Sequence, residues 1–339
     1  MSAILPGGQK NQRATEDRLE SLREEAQRTG RVAGTGIPVA GGPIPRDAEA
    51  LSGYYGQPIV KPPVWTWQIG LYLFVGGTAG MSGVIALAGL LTGQSLDFLR
   101  TALGVAFAGA LISPVLLIWD LGRPSRFLNM LRVFKWRSAM SIGVWTLFVF
   151  SSFAGAAFVL VEAWDFLMTS GVPPTALRGI ALGLVAGTAL SGVVLATYTG
   201  VLLGATAVPV WSAHHKLLPF HFGIVGLGSA AAVLELLGFR IAALNAIALT
   251  VAALETGVGI WLEIVRQGAT AGGIHHGPAS ILLRTAALLT GPVPLVARIF
   301  GWVPIAGVLF LIGAVLSRYG WLFAGRVIKA DSVAADGRA

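Results

Sequence analysis

The chain has 339 residues, of which 55% are hydrophobic and only 12% charged, with a mean hydropathy of +0.74 and no cysteine. That much apolar sequence exceeds what a soluble core absorbs. The missing cysteines exclude a chain-borne iron–sulfur cluster, a thiolate haem ligand and any disulfide.

Residues 1–53 form an arm in two parts. "TEDRLESLREEAQR" is charged enough for a short solvated helix, whereas "GRVAGTGIPVAGGPIPRD" is rich in Gly and Pro and favours no regular structure. Such an arm is either a flexible tail or a segment that orders against a partner. Residues 54–67, "YYGQPIVKPPVWTW", then ramp from polar into apolar sequence. The prolines stop a helix from starting early and favour an extended path along the membrane surface. Tyr54, Tyr55, Trp65 and Trp67 are expected to anchor that path at headgroup depth. The long polar start lacks the layout of a cleaved signal peptide, so the first apolar span is expected to be retained.

Eight apolar stretches follow, near Gln68–Leu91, Thr101–Trp119, Ala139–Val161, Leu177–Leu203, Leu217–Gly238, Ile241–Ile264, Ser280–Ile299 and Trp302–Phe323. Each is roughly 20 residues, enough to cross ~30 Å of hydrocarbon at ~1.5 Å per residue. Their continuous apolar runs predict helices; barrel strands would alternate. With an even number of spans both termini share one side, and that side holds Arg46, Lys61, Arg123, Arg126, Arg132, Lys135, Arg137 and Lys216, among others. The opposite side has Arg100, Arg178, Arg240 and Arg298. This bias predicts cytoplasmic termini. The net charge of +8 therefore reads as topology and calls for no nucleic-acid partner.

Small residues at four-residue spacing, Gly76 and Gly80 in the first span and Gly179, Gly183 and Gly187 in the fourth, predict close helix crossings. Polar residues are more selective markers. Gln68 and Tyr72 share one face early in the first span; Tyr198 lies late in the fourth, on the stripe of Thr188 and Ser191. Because neighbouring spans run in opposite directions, both tyrosines sit ~10 Å inside the same boundary. Two tyrosines at matched depth on polar stripes suit a pocket open to that face. His214, His215, His221, His275 and His276 all fall in loops or at a helix start, so no haem held by facing imidazoles is expected.

The segment "IWDLGRPSRFLNMLRVFKWRSAM" links the second and third spans. Asp120 and Arg123 flank a turn where they can pair, and apolar residues alternate with Arg126, Arg132 and Lys135, a pattern suited to a helix lying in the interface. One reading is a basic topogenic loop; the other is a dock for an acidic subunit with a polar lid.

Four stretches, "YYGQPIVKPPVWTW", "GGTAGMSG", "DLGRPSRFLNMLRVFKWRSAMS" and "TYTGVLLGATAVPVW", resemble the NrfD/PsrC-type membrane subunits of the polysulfide reductase class. The resemblance covers about Gly53 to Phe323. It implies an all-α integral membrane protein with eight transmembrane helices in two four-helix bundles, here 68–211 and 212–325, followed by a tail at 326–339. It also implies exchange of electrons with membrane quinone (menaquinone or ubiquinone), a ferredoxin-like iron–sulfur partner, and a molybdopterin or other catalytic subunit. The expected setting is the prokaryotic cytoplasmic membrane. By this resemblance Tyr72 falls at a polar ring position near the quinone, a histidine in some members, and Tyr198 at a tyrosine that bonds a quinone carbonyl. Gln68, Asp120 and Arg123 would complete the quinone site; Tyr54, Tyr55, Arg126, Arg132 and Lys135 would dock the partner. Trp136 and Ala139 stand where the family often has proline.

Glu255, near the middle of the sixth span, is costly there unless paired or protonated. It is either a proton-transfer group or a structural carboxyl bonded to a neighbouring helix. Glu235 and Glu263 are expected to be interfacial, and Arg284 and Arg318 to snorkel. Two other functions stay open. A secondary transporter would show broken helices at matching positions in two repeats, and only Pro292 and Pro294 interrupt a later span. A purely structural anchor would keep its activity without the Tyr198 hydroxyl.

Overall fold

The computed structural model describes residues 65–120, 127, 130–206, 208–265 and 277–336. The arm at 1–53, Tyr54, Tyr55, Arg123 and Arg126 lie outside the described residues. Among the described residues there is no strand. Eight helices are long and apolar enough to cross a membrane. They are α1 (Trp67–Leu91), α2 (Leu96–Asp120), α3 (Ala139–Glu162), α4 (Pro174–Gly204), α5 (Leu217–Leu236), α6 (Ala242–Val265), α7 in two pieces (Gly277–Thr290 and Pro292–Ile299), and α8 (Val303–Asp336).

The predicted and observed spans coincide, with one informative difference. α2 begins at Leu96, a turn and a half before the apolar run at Thr101. Its first turn is polar: Asp97 suits a helix N-terminus, and Arg100 is bonded to Asp97 at 3.3 Å and to Asp165 at 2.6 Å. α7 breaks at Gly291, where Pro292 opens a new helix, because a proline ring cannot follow a helical turn without clashing with the carbonyl four residues back.

α1 is the hub, packing against α2, α4, α5 and α8. Glycine makes this possible. A Cβ on Gly80 would collide with the carbonyl oxygen of Gly192, so α1 and α4 cross backbone to backbone. Gly77 and Gly226 bring α1 close to α5, less tightly. Gly179 and Gly183, by contrast, face open space, which corrects the expectation that they pack. Two buried hydroxyls are satisfied within the bundle: Ser82 donates to the Ala102 carbonyl at 2.8 Å, and Ser229 to that of Val225 at 2.8 Å.

The chain enters α1 pinned from several sides. Trp65 stacks on Trp211 at 5.1 Å, and the Trp211 indole donates to the Trp321 carbonyl at 2.7 Å. Tyr319 donates to the Trp67 carbonyl at 2.8 Å. Trp65 is thus packed on protein and only Trp67 is turned outward, which divides the expected aromatic anchor in two.

At the other end of the molecule Glu235 is buried, which corrects its expected interfacial position. Arg298 holds it with two bonds, of 2.8 and 2.5 Å, and also donates to Asn245 at 2.8 Å. Every strong group in this cluster faces a partner, so its burial is tolerated.

Candidate functional site

Besides the Glu235–Arg298 cluster, two polar constellations lie inside the helices among the described residues. The first surrounds the start of α1. Tyr72, 2% exposed, projects between α1, α2 and α4: a Cβ on Gly76 would meet its ring at 3.6 Å, Ser113 Oγ at 3.7 Å and Leu195 at 3.9 Å. The Tyr72 hydroxyl has no hydrogen-bond partner among the described residues, and the neighbouring Ser113 hydroxyl is buried and equally unpartnered. Buried polar atoms are rarely left so unless a ligand or water uses them.

Tyr198 lies within electrostatic reach of Tyr72. Its ring rests on Gly143, where an added Cβ would overlap it, and its hydroxyl donates to the Ala139 carbonyl on α3. That bond holds the phenol in place and leaves its oxygen lone pairs for another donor. Thr188 and Ser191, expected to share its polar stripe, donate back to the Leu184 and Gly187 carbonyls of their own helix.

At the membrane boundary Thr66 Oγ1 contacts both Gln68 and Asp120. Both neighbours are oxygens, Gln68 Oε1 and Asp120 Oδ1, and a hydroxyl carries one proton, so Thr66 donates to one of them at a time. Gln68 is 9% exposed and Asp120 ends α2, so the three residues form a short polar chain from the surface towards Tyr72. Arg132 and Lys135 are exposed on a stretch that leaves helical geometry after Leu131, so the expected interfacial helix does not extend through them.

A groove of about 520 Å³ runs between α3 and α4, lined by Phe134, Ile142, Trp145, Thr146, Val149, Ser191 and Val194. It is almost wholly apolar and begins one residue from Gly143, on which Tyr198 rests.

The second constellation was only half visible in the sequence. Glu255, 2% exposed, is bonded to His221 Nδ1 at 3.0 Å and accepts from Thr290 at 3.2 Å, while His221 Nε2 pairs with Ser317 Oγ at 2.8 Å. The expectation that all five histidines lie in loops or at a helix start fails for His221, which is 6% exposed and one turn inside α5. Arg318 does not snorkel: it is 1% exposed, with its guanidinium 3.7 Å above the Phe222 ring and donating to the Phe222 carbonyl at 2.9 Å. A signal for this cluster was present, since His221, Glu255 and Ser317–Arg318 all stand inside spans, and residue number converts to depth for them as it does for the two tyrosines. Among the described residues no group of three metal-ligating side chains occurs.

Comparison with known proteins agrees with this architecture. A family model described as "Polysulphide reductase, NrfD" matches residues 58–266, more than half of the chain. A polysulfide reductase subunit of Wolinella succinogenes is 35% identical over 94 residues, a stretch covering 26% of this chain and 29% of that protein.

Proposed function

We propose, from the premise that this chain belongs to the NrfD polysulphide reductase family, that it is the membrane-integral, quinone-reactive subunit of a multi-subunit oxidoreductase. In this reading it exchanges electrons between a partner iron–sulfur subunit and membrane quinone, with a molybdopterin or other catalytic subunit beyond. Alone it is not an enzyme. The helices divide in this reading into bundles at 68–211 and 212–325: α1 packs with α2 and α4, α3 with α4, α5 with α6 and α8, and α7 with α8, while α5 joins the two through α1 and α4.

The observation that carries the reading is the buried, unpartnered Ser113 hydroxyl beside the buried Tyr72 side chain, with Tyr198 within electrostatic reach of Tyr72. A quinone has two carbonyl oxygens that accept hydrogen bonds, a flat apolar ring and an isoprenoid tail, and it carries two electrons and two protons between its oxidised and reduced forms. The residues present fit that chemistry. Ser113 supplies a buried donor that no described protein group uses, and the Tyr72 hydroxyl offers a second beside it. Tyr198, fixed by Ala139, walls the site. The groove between α3 and α4 offers an apolar slot for the tail. Gln68, Thr66 and Asp120 hold a proton chain between the site and the surface, with Arg123 as a further member.

Partner docking falls to the basic, exposed residues Arg132 and Lys135, together with Tyr54, Tyr55 and Arg126. Glu255 serves proton transfer in the second half of the molecule. The setting is the cytoplasmic membrane, with both termini on the cytoplasmic side as the distribution of Lys and Arg predicts.

The test is affinity purification of the gently solubilised complex through a tag on this protein, scoring subunits and extracted quinone together. A cysteine-rich iron–sulfur protein with near-stoichiometric quinone is the expected result. Recovery of the protein alone from active membranes, without quinone, overturns it in favour of a transporter.

A further inference from the structure

The molecule contains two buried arginine–glutamate sites, and they are built differently. Arg298 and Glu235 saturate each other, with Asn245 taking the remaining contact. Arg318 is as deeply buried, yet its Nε and Nη1 have no partner among the described residues; a single carbonyl and the face of Phe222 are all that meet it there. A buried guanidinium left so incompletely bonded destabilises the fold. Stability therefore does not explain its presence. The carboxylate that its charge senses is Glu255, whose two oxygens are bonded instead to His221 and Thr290.

We infer that His221 is a proton-loading group, held between Glu255 and Ser317 and balanced by the charge of Arg318. This deepens the proton side of the function proposed above and rests on that reading. With Glu255 ionised and His221 neutral, the consistent scheme has Nδ1–H donating to Glu255 Oε1, while Nε2 accepts from the Ser317 hydroxyl. An arriving proton binds Nε2. Ser317 then only turns its hydroxyl to accept, and Nδ1–H stays on Glu255. Loading thus makes one N–H bond, breaks none in the protein, and needs no backbone movement. Unloading reverses it.

The charged groups that meet here are Glu255 from α6 and Arg318 from α8; α7 contributes Thr290, α1 contributes Gly77 with Tyr72 in the adjoining cluster, and α4 meets α5 through Thr197 and Gly200. At Gly77 an added Cβ would lie 3.6 Å from Arg318 Nη2. The guanidinium thus lies against α1, the helix that carries Tyr72. His221 lies four residues into α5 and Tyr72 five into α1, at depths of roughly 6 and 7.5 Å from the same boundary. Tyr72, Phe222 and Trp321 belong to one packed cluster, so the loading group and the proposed quinone site share a wall. The break in α7 follows directly after Thr290, and a Cβ on Gly291 would lie 2.8 Å from Thr256 Oγ1 on α6. Interrupted helices at membrane depth are tolerated where they border a polar interior.

Acid-minus-base infrared difference spectra of the whole complex, with ring-labelled histidine, test the inference. The expected result is a histidine band that is lost in His221→Gln and displaced in both Glu255→Gln and Ser317→Ala. A wild-type spectrum in all three variants overturns it. Ser317→Ala removes no charge, so it answers the question even where His221→Gln fails to assemble. The spectra are recorded without turnover. A complex that shows the band but no quinone-dependent electron transfer therefore refutes the quinone reading alone, and one that turns over without the band refutes only the loading site.

Discussion

Tyr198 lies flat against the bare backbone of Gly143, closer than any side chain there would allow: a Cβ would overlap its ring. The ring's far end, which carries the hydroxyl bonded to Ala139, is the part that would have to yield. Gly143→Ala is therefore expected to swing Tyr198 off Ala139 without unfolding the helices, since a rotating ring relieves the clash. Quinone-dependent turnover of the assembled complex should fall about tenfold, because the displaced ring no longer walls the site in its place. Gly183→Ala on α4, which faces open space, is the control and should leave turnover unchanged.

The two tyrosines are not equivalent. Tyr72 offers an unpartnered hydroxyl, whereas the Tyr198 hydroxyl is already committed to a backbone carbonyl. Tyr72→Phe should thus lower kcat/KM for quinone by about tenfold or more by removing a donor made for the ligand. Tyr198→Phe should have the smaller effect on kcat/KM and the larger one on thermal stability, because it strands the Ala139 carbonyl. Steady-state kinetics with a short-chain quinone, set beside unfolding temperatures, separate the two. Equal kinetic losses would contradict the assignment.

The buried pair Glu235–Arg298 allows a test of stability away from either site. Removing one partner leaves an unneutralised charge among apolar helices, so Glu235→Ala should cost about 3–5 kcal/mol. The double replacement Glu235→Leu with Arg298→Met removes both charges and should recover most of that loss. Thermal unfolding of the purified complex in one detergent measures both. A double variant as unstable as the single would show that the pair holds the piece of α7 at Pro292–Ile299 by geometry and not by charge balance.

How much of this was legible in the sequence depends on what kind of pattern carried it. The spans were, because continuous apolar runs report lipid exposure directly. The matched tyrosines were, because helix rise and direction convert residue number into depth. Packing was not: Gly80 meets Gly192 and Gly187 meets Phe153, yet Gly179 and Gly183 at the same spacing face open space. Spacing marks a helical stripe but says nothing of what lies opposite. The fate of Arg318 and Glu235 was hidden for the same reason, since position near a helix end does not reveal whether a neighbouring helix covers it. Tyr198 shows the limit most clearly: its place was readable, its bond to Ala139 was not.

Thr66, unremarked in the sequence, supplies the last test. It sits between Gln68 Oε1 and the Asp120 carboxylate at the edge of the described residues, and its one proton can turn to either. If that relay feeds protons to the site, Thr66→Val interrupts it while leaving the binding groups Tyr72 and Ser113 untouched. The expected result is a several-fold lower kcat with KM for quinone unchanged, together with a larger solvent isotope effect as proton delivery becomes limiting. Thr66→Ser restores the hydroxyl and should restore both. A rise in KM with kcat intact would instead place Thr66 in quinone binding and remove it from the proton path.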